Sequence, residues 1–188
     1  MILTFSELID IVLMTAVVGF IFMDIFKKPR EDYDPLLHYT AGFDWNNFLF
    51  ACLIVAPAII LHELAHKFVA ISFGLQATFQ AAYLFLGIGL VMKLMRFGFI
   101  FFVPAYVSIF GRAAPIEFSI IALAGPLMNL LLWLLTAFML KKKLFKKKYS
   151  AALFLTSKVN MFLFIFNMLP IPGFDGYKFF TGLLSFIF

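Results

Sequence analysis

Residues 47–73 form an apolar stretch long enough to cross a bilayer, and His62-Glu63-Leu64-Ala65-His66 lies inside it. A spanning helix takes ~20 such residues. Ionisable groups at that depth are costly unless something pairs with them, so any fold built around this segment must bring partners to it. On a helix, residues four apart share a face, one turn apart. Both imidazoles can therefore bind one metal ion, and Glu63 between them can serve as general base toward a water that the ion activates. In a soluble protein the pattern suggests an ordinary metalloprotease; in lipid it suggests hydrolysis inside a membrane.

The rest of the chain agrees with a lipid setting. It is 64% hydrophobic and only 13% charged over 188 residues, about half the charged fraction of a soluble domain. Cys52 is the single cysteine, which excludes an intrachain disulfide and a cysteine-based zinc site; it reads as packing. Glu7 and Asp10 stand where a secretory signal would carry basic residues, so the N-terminus is read as a membrane segment. The excess positive charge sits in short loops beside apolar segments, which argues against nucleic-acid binding.

Apolar runs predict an all-α polytopic membrane protein, a single integral membrane domain over residues 1–188. Residues 1–46 hold a first span at 2–26, carrying Asp10 and Asp24, and a polar loop with Pro29, Pro35, Gly42 and the interfacial anchor Trp45. A catalytic core of about 47–188 follows. Its further spans are 47–73, 123–140 and 151–169, with a closing apolar helix at 176–188. Residues 77–103 are apolar but interrupted by Lys93 and Arg96, which read as interfacial or snorkelling cations. Two runs rich in β-branched and aromatic residues, 105–110 and 117–122, flank Gly111 and Pro115 and predict a small β-hairpin near the active site. Residues 141–148 form a strongly basic loop suited to anionic headgroups.

Zinc needs a third protein ligand and leaves a position for water. His38, the remaining histidine, lies among charged residues in the polar loop and reads as solvated. Asp175 is the better candidate: it follows Pro170-Ile171-Pro172-Gly173-Phe174, which must interrupt a helix. Broken backbone at membrane depth is tolerated where protein or a water-filled cavity surrounds it. The plain alternative for the two histidines is a hydrogen-bonded pair buried between helices.

Three segments in order now carry a resemblance. They are His62-Glu63-Leu64-Ala65-His66, Ala124-Gly125-Pro126-Leu127-Met128-Asn129, and Asn167-Met168-Leu169-Pro170-Ile171-Pro172-Gly173-Phe174-Asp175-Gly176. Together they resemble the site-2 protease family of intramembrane zinc metalloproteases, over residues 53–178, in a short form without a PDZ or regulatory domain. The resemblance implies one Zn2+ held by His62, His66 and Asp175, with Glu63 as general base. It implies that Asn129 faces the catalytic centre, where its amide could donate to an oxyanion or hold the substrate backbone; interhelical hydrogen bonding is the alternative. Gly125 and Pro126 would let their helix start tightly near the site. Asn167 is either a helix-end hydrogen-bonding group or a substrate contact. The implied partners are a transmembrane protein or peptide substrate and the lipid bilayer, in a multi-pass protein of the cell membrane. The oligomeric state is left open.

If the ends carrying His66, Asn129 and Asp175 meet at one zinc, residues 77–103 must return to the side they left. Two arms of about a dozen residues at ~1.5 Å each reach only halfway across ~30 Å, which favours a re-entrant segment. Lys27, Lys28 and Arg30 would then share a side with 141–148. The positive-inside rule makes that side cytoplasmic and turns the catalytic end away from it, unlike familiar members of the family. The predicted activity is peptide hydrolysis within or at the edge of the bilayer, with the hairpin region holding an extended substrate by strand addition. The competing functions are a non-hydrolytic zinc-binding scaffold or metal transporter, for which Glu63 would have no use, and a membrane-anchored enzyme acting on a soluble peptide or a non-peptide amide.

Overall fold

Thr4 and Glu7 close the first turn of α1 (Phe5–Phe22) reciprocally: the Thr4 hydroxyl accepts the Glu7 N–H, and the Glu7 carboxylate accepts the Thr4 N–H at 2.7 Å. Each satisfies a donor that a helix start would leave orphaned. The computed structural model that gives this geometry describes residues 3–27, 43–97 and 103–187. His38, Lys28, Arg30 and most of the polar loop lie outside the described residues. Asp44 caps α2 (Trp45–Ser72) by accepting the Asn47 N–H at 3.0 Å. Four helices are long and apolar enough to cross a membrane: α1, α2, α4 (Pro115–Lys141) and α5 (Ser150–Asn167). The basic loop between α4 and α5 is exposed throughout. Helices α3 (Tyr83–Leu94) and α6 (Asp175–Ile187) are shorter.

The small sheet is present, but its strands differ from the predicted pair. β2 (Ala105–Phe110) pairs antiparallel with β1 (Gln76–Ala81), placing Gln76 opposite Phe110 and Ala81 opposite Ala105. Residues 117–122 instead belong to α4, which begins eight residues before the expected span. Pro115 presets the first-turn backbone, and the Glu117 carboxylate accepts the Ala114 N–H at 2.7 Å. This start overrides the β-branched composition of the turn that follows.

The two ends of the 77–103 stretch are brought back side by side. The chain leaves the sheet at Ala81 and rejoins it at Ala105, with the Ala82 N–H donating to the Pro104 carbonyl at 3.0 Å. Between them α3 rises about 18 Å alongside α1. Asp10 accepts the Tyr83 hydroxyl and the Ala81 N–H, the latter at 3.3 Å. At the other end of α3, Lys93 donates to the Phe20 carbonyl and to Asp24, the latter at 2.9 Å, with its ammonium 4.2 Å from the Phe20 ring centre. Lys93 is therefore tied to α1 and to the exposed Asp24 just beyond its end.

A second tie lies beside the histidines. Lys67 donates to Glu7, and both side chains are 1% exposed. The same Glu7 oxygen accepts the Phe79 N–H of β1 at 2.7 Å. Removing one member of such a pair would leave a buried charge uncompensated, so α1, α2 and β1 are locked together next to His66. Behind this lock, Met14 and Val18 of α1 pack with Ile54, Val55 and Ile59 of α2, Phe79 of β1 and Leu86 of α3.

Candidate active site

His62 and His66 project from one face of α2 with ring centres 4.7 Å apart. The His66 Nδ1–H donates to the Ile121 carbonyl at 2.6 Å. A carbonyl only accepts, so the proton on His66 is at Nδ1 and its Nε2 carries a lone pair. His62 is fixed the same way by a longer chain of bonds. Its Nδ1 lies 2.5 Å from Asn129 Oδ1. Asn129 Nδ2 donates to the Ala58 carbonyl at 3.1 Å and to Asn160 Oδ1 at 2.9 Å, and Asn160 Nδ2 donates to the Thr156 carbonyl at 2.8 Å. With the amide nitrogen so placed, Asn129 presents oxygen to His62, whose Nε2 must also be a lone-pair donor.

Asp175 reaches these rings from the first residue of α6. Gly173, at φ +101°, turns the chain out of the Pro170–Pro172 break, a backbone state that disfavours a side chain. Gly176 lies so close to the Met168 carbonyl that a Cβ there would collide with it. Ser119 of α4 donates to the Phe179 carbonyl at 3.1 Å and so holds α6 against α4. The outcome is Asp175 Oδ2 at 3.0 Å from His62 Nε2 and 3.1 Å from His66 Nε2, with the two nitrogens 3.1 Å apart.

These three atoms could hold a metal ion. Two imidazole lone pairs and a carboxylate oxygen face one another with both Nδ1 protons directed elsewhere, so a positive charge belongs among them. The separations are close to the ~3.3 Å that tetrahedral bonds of ~2.0–2.1 Å impose on neighbouring ligands. Gly125 supplies the room: a Cβ there would collide with Nε2 of both histidines. Gly125 and Pro126 thus lie inside α4 rather than at its start, and the glycine is explained by the rings it faces.

The histidines and Asp175 border a cavity of about 630 Å³, which Glu63, Asn167 and Lys178 also line. Glu63 takes no part in the triad and lines the wall beside it, with no side-chain hydrogen bond to a described residue. Asn167, at the end of α5, makes no hydrogen bond through its side chain to a described residue. For Asn129 the geometry fits the alternative of hydrogen bonding between helices. This residue is completely buried and absent from the cavity wall, and both its donors serve Ala58 and Asn160, leaving none to offer an oxyanion. Asn160 and the Glu7–Lys67 pairing escape a reading of the sequence, whereas Gly125 was singled out there for a helix start rather than for the rings it faces. Asn160 and Lys67 had one available signal, a polar side chain within an apolar helix.

Comparison with known proteins agrees with this geometry. The chain is 35% identical over 174 residues to a protein of Methanocaldococcus jannaschii named as a candidate zinc metalloprotease, a match spanning 92% of this chain and 82% of that protein. The chain belongs to that zinc metalloprotease family. A Bacillus subtilis member, also named as a candidate zinc metalloprotease, is 30% identical over 162 residues, covering 71% of this chain and 72% of its own length. No protein-family model matches the chain, and no solved structure matches it significantly. Zinc is the metal that the names of these relatives carry, and an N,N,O donor set suits it.

Proposed function

We propose that this chain is an intramembrane zinc endopeptidase of the site-2 protease type, a multi-pass protein of the cell membrane that hydrolyses peptide bonds of membrane-spanning substrates. The observation that carries the reading is the meeting of His62 Nε2, His66 Nε2 and Asp175 Oδ2 on the wall of a cavity that Glu63 also lines. Depth supports it. At ~1.5 Å per residue, Gly125 lies about 15 Å into α4 and His62 about 15 Å before the end of α2, well inside ~30 Å of hydrocarbon.

His62, His66 and Asp175 hold the zinc, which when bound supplies Lewis acidity toward a water and a peptide carbonyl. Glu63 takes the proton of the attacking water and returns it to the leaving amine. Asn129 and Asn160 keep His62 in the tautomer that can bind metal. Asn167, with its amide uncommitted, contacts the substrate backbone. Purified in detergent, the protein should carry about one zinc per chain, as a single three-ligand site requires. Chelation should remove it and stop cleavage of a generic transmembrane substrate, and added zinc should restore both. Cleavage that persists without metal, or a zinc-replete protein inactive on a broad panel of such substrates, overturns the reading.

The substrate must be extended where it is cut, because a helix hides its carbonyls, and the sheet offers one edge for it. Backbone groups of alternate residues point to opposite sides of an antiparallel strand. On β1, the Phe79 and Ala81 N–H groups turn to Glu7 and Asp10 of α1, so that edge is closed. The groups facing β2 then belong to Gln76, Thr78 and Gln80, whose partners are Phe110, Ser108 and Tyr106. Ala105, Val107 and Ile109 direct their backbone away from β1, and all three line the cavity. Strand addition at this edge predicts that Val107→Pro, which deletes one outward N–H, lowers kcat/KM by about tenfold, the equivalent of one lost hydrogen bond. Proline at Tyr106 would remove a bond to β1 instead. Cleavage kinetics of Val107→Pro equal to wild type would argue against substrate pairing here.

A further inference from the structure

Lys158 sits halfway along α5, one of the helices long and apolar enough to cross a membrane. An ammonium at the centre of such a helix is costly, and intramembrane charges face a cavity or a partner. The other cations buried in the apolar region each have one. Lys67 is paired with Glu7, and Lys93 with Asp24 and the Phe20 carbonyl. At the catalytic end, Lys178 lies 3.7 Å from Asp175. Lys158 is exposed on the cavity wall and forms no ion pair with a described residue. Its ammonium lies 5.6 Å from the ring centre of Phe154, one turn earlier on its own helix.

The cavity is long enough to make this position meaningful. Its α5 wall runs from Lys158 to Asn167, and its α2 wall from Val55 to His66. The bonds from Asn160 through Asn129 to Ala58 set the Lys158 turn level with the α2 turn before His62. Lys158 is thus at the end of the cavity remote from Asp175, about 13 Å along the helix from Asn167. Apart from the proposed base Glu63 and the metal-ligating Asp175 at the opposite end, the cavity lining carries no carboxylate among the described residues. A bound segment that brings its own negative charge would complete the site.

Resting on the protease reading above, we infer that Lys158 is a specificity determinant. It pairs with an Asp or Glu in the membrane-embedded part of the substrate, displaced from the bond that is cut toward the Lys158 end of the cavity. An uncharged segment leaves the ammonium unpartnered, so discrimination comes from the unpaired charge as much as from the new bond.

The test uses the full chain in detergent or liposomes and a single-pass transmembrane substrate with an all-apolar core. One Asp is walked through positions three to nine residues to either side of the cleavage site. The readout is the ratio of kcat/KM for each Asp substrate to that of the apolar parent, measured for wild type, Lys158→Met, Lys158→Arg and Lys158→Glu. Wild type should show one register favoured about tenfold or more, as expected for one charge pair. Lys158→Arg should keep the preference, Lys158→Met should bring the ratio to about one, and Lys158→Glu should transfer it to a substrate with Lys in that register. A cleaved parent with no favoured register, or a preference that survives Lys158→Met, overturns the assignment while leaving the protease intact. If wild type cleaves none of these substrates, the protease reading falls and this inference with it.

Discussion

Glu63→Gln should bind zinc as tightly as wild type and lose about 10²–10⁴-fold in kcat, the range general-base catalysis contributes. The substitution is nearly isosteric and leaves the triad untouched, because Glu63 lies on the cavity wall outside the contacts among His62, His66 and Asp175. What it removes is the one acceptor there able to take a proton without giving up a ligand. Asp175→Ala should behave differently: zinc and activity fall together, since an oxygen donor is lost. Zinc content and cleavage measured on both purified variants separate base from ligand. Equal activity in Glu63→Gln and wild type would exclude the mechanism; loss of zinc from Glu63→Gln would move Glu63 into the coordination shell.

The parts of this molecule legible in its sequence are those set by local periodicity. The two histidines are four apart on a helix, so their shared face follows from helix geometry alone. Asp175 was legible because Pro170, Pro172 and Gly173 mark a broken segment where a carboxylate needs a partner. The four long apolar helices follow from hydropathy in the same way.

Long-range pairing was not legible. β1 merges into an apolar run, and its partner begins after an intervening helix. Nothing local distinguishes pairing of β2 with residues 76–81 from pairing with 117–122. The start of α4 turned on Pro115 and Glu117, a helix-opening signal masked by the β-branched residues beside it. Glu7 and Lys67 read as isolated charges until the fold joins them across 60 positions. The role of Asn129 depended in turn on Asn160, a side chain whose importance exists only in three dimensions.

That dependence yields the second large effect. Asn129→Leu should weaken zinc binding by about 10–100-fold, the usual consequence of removing a group that orients a metal-binding histidine. Leucine takes away the acceptor for His62 Nδ1, so the imidazole can rotate or carry its proton on Nε2, where the lone pair is needed. It also leaves Asn160 Oδ1 without its donor, and an unsatisfied buried acceptor destabilises. Asn160→Leu, one bond further from the metal, should give a smaller loss of the same kind. The measurements are zinc affinity by chelator competition and kcat at saturating zinc. If Asn129 acts through His62, high zinc recovers most of the activity of Asn129→Leu. If its amide instead served the oxyanion, affinity would stay at the wild-type value and kcat would remain about 10²–10³-fold low at any zinc concentration. The geometry favours the first outcome, because an amide whose two donors already reach Ala58 and Asn160 has none to turn toward a reacting carbonyl.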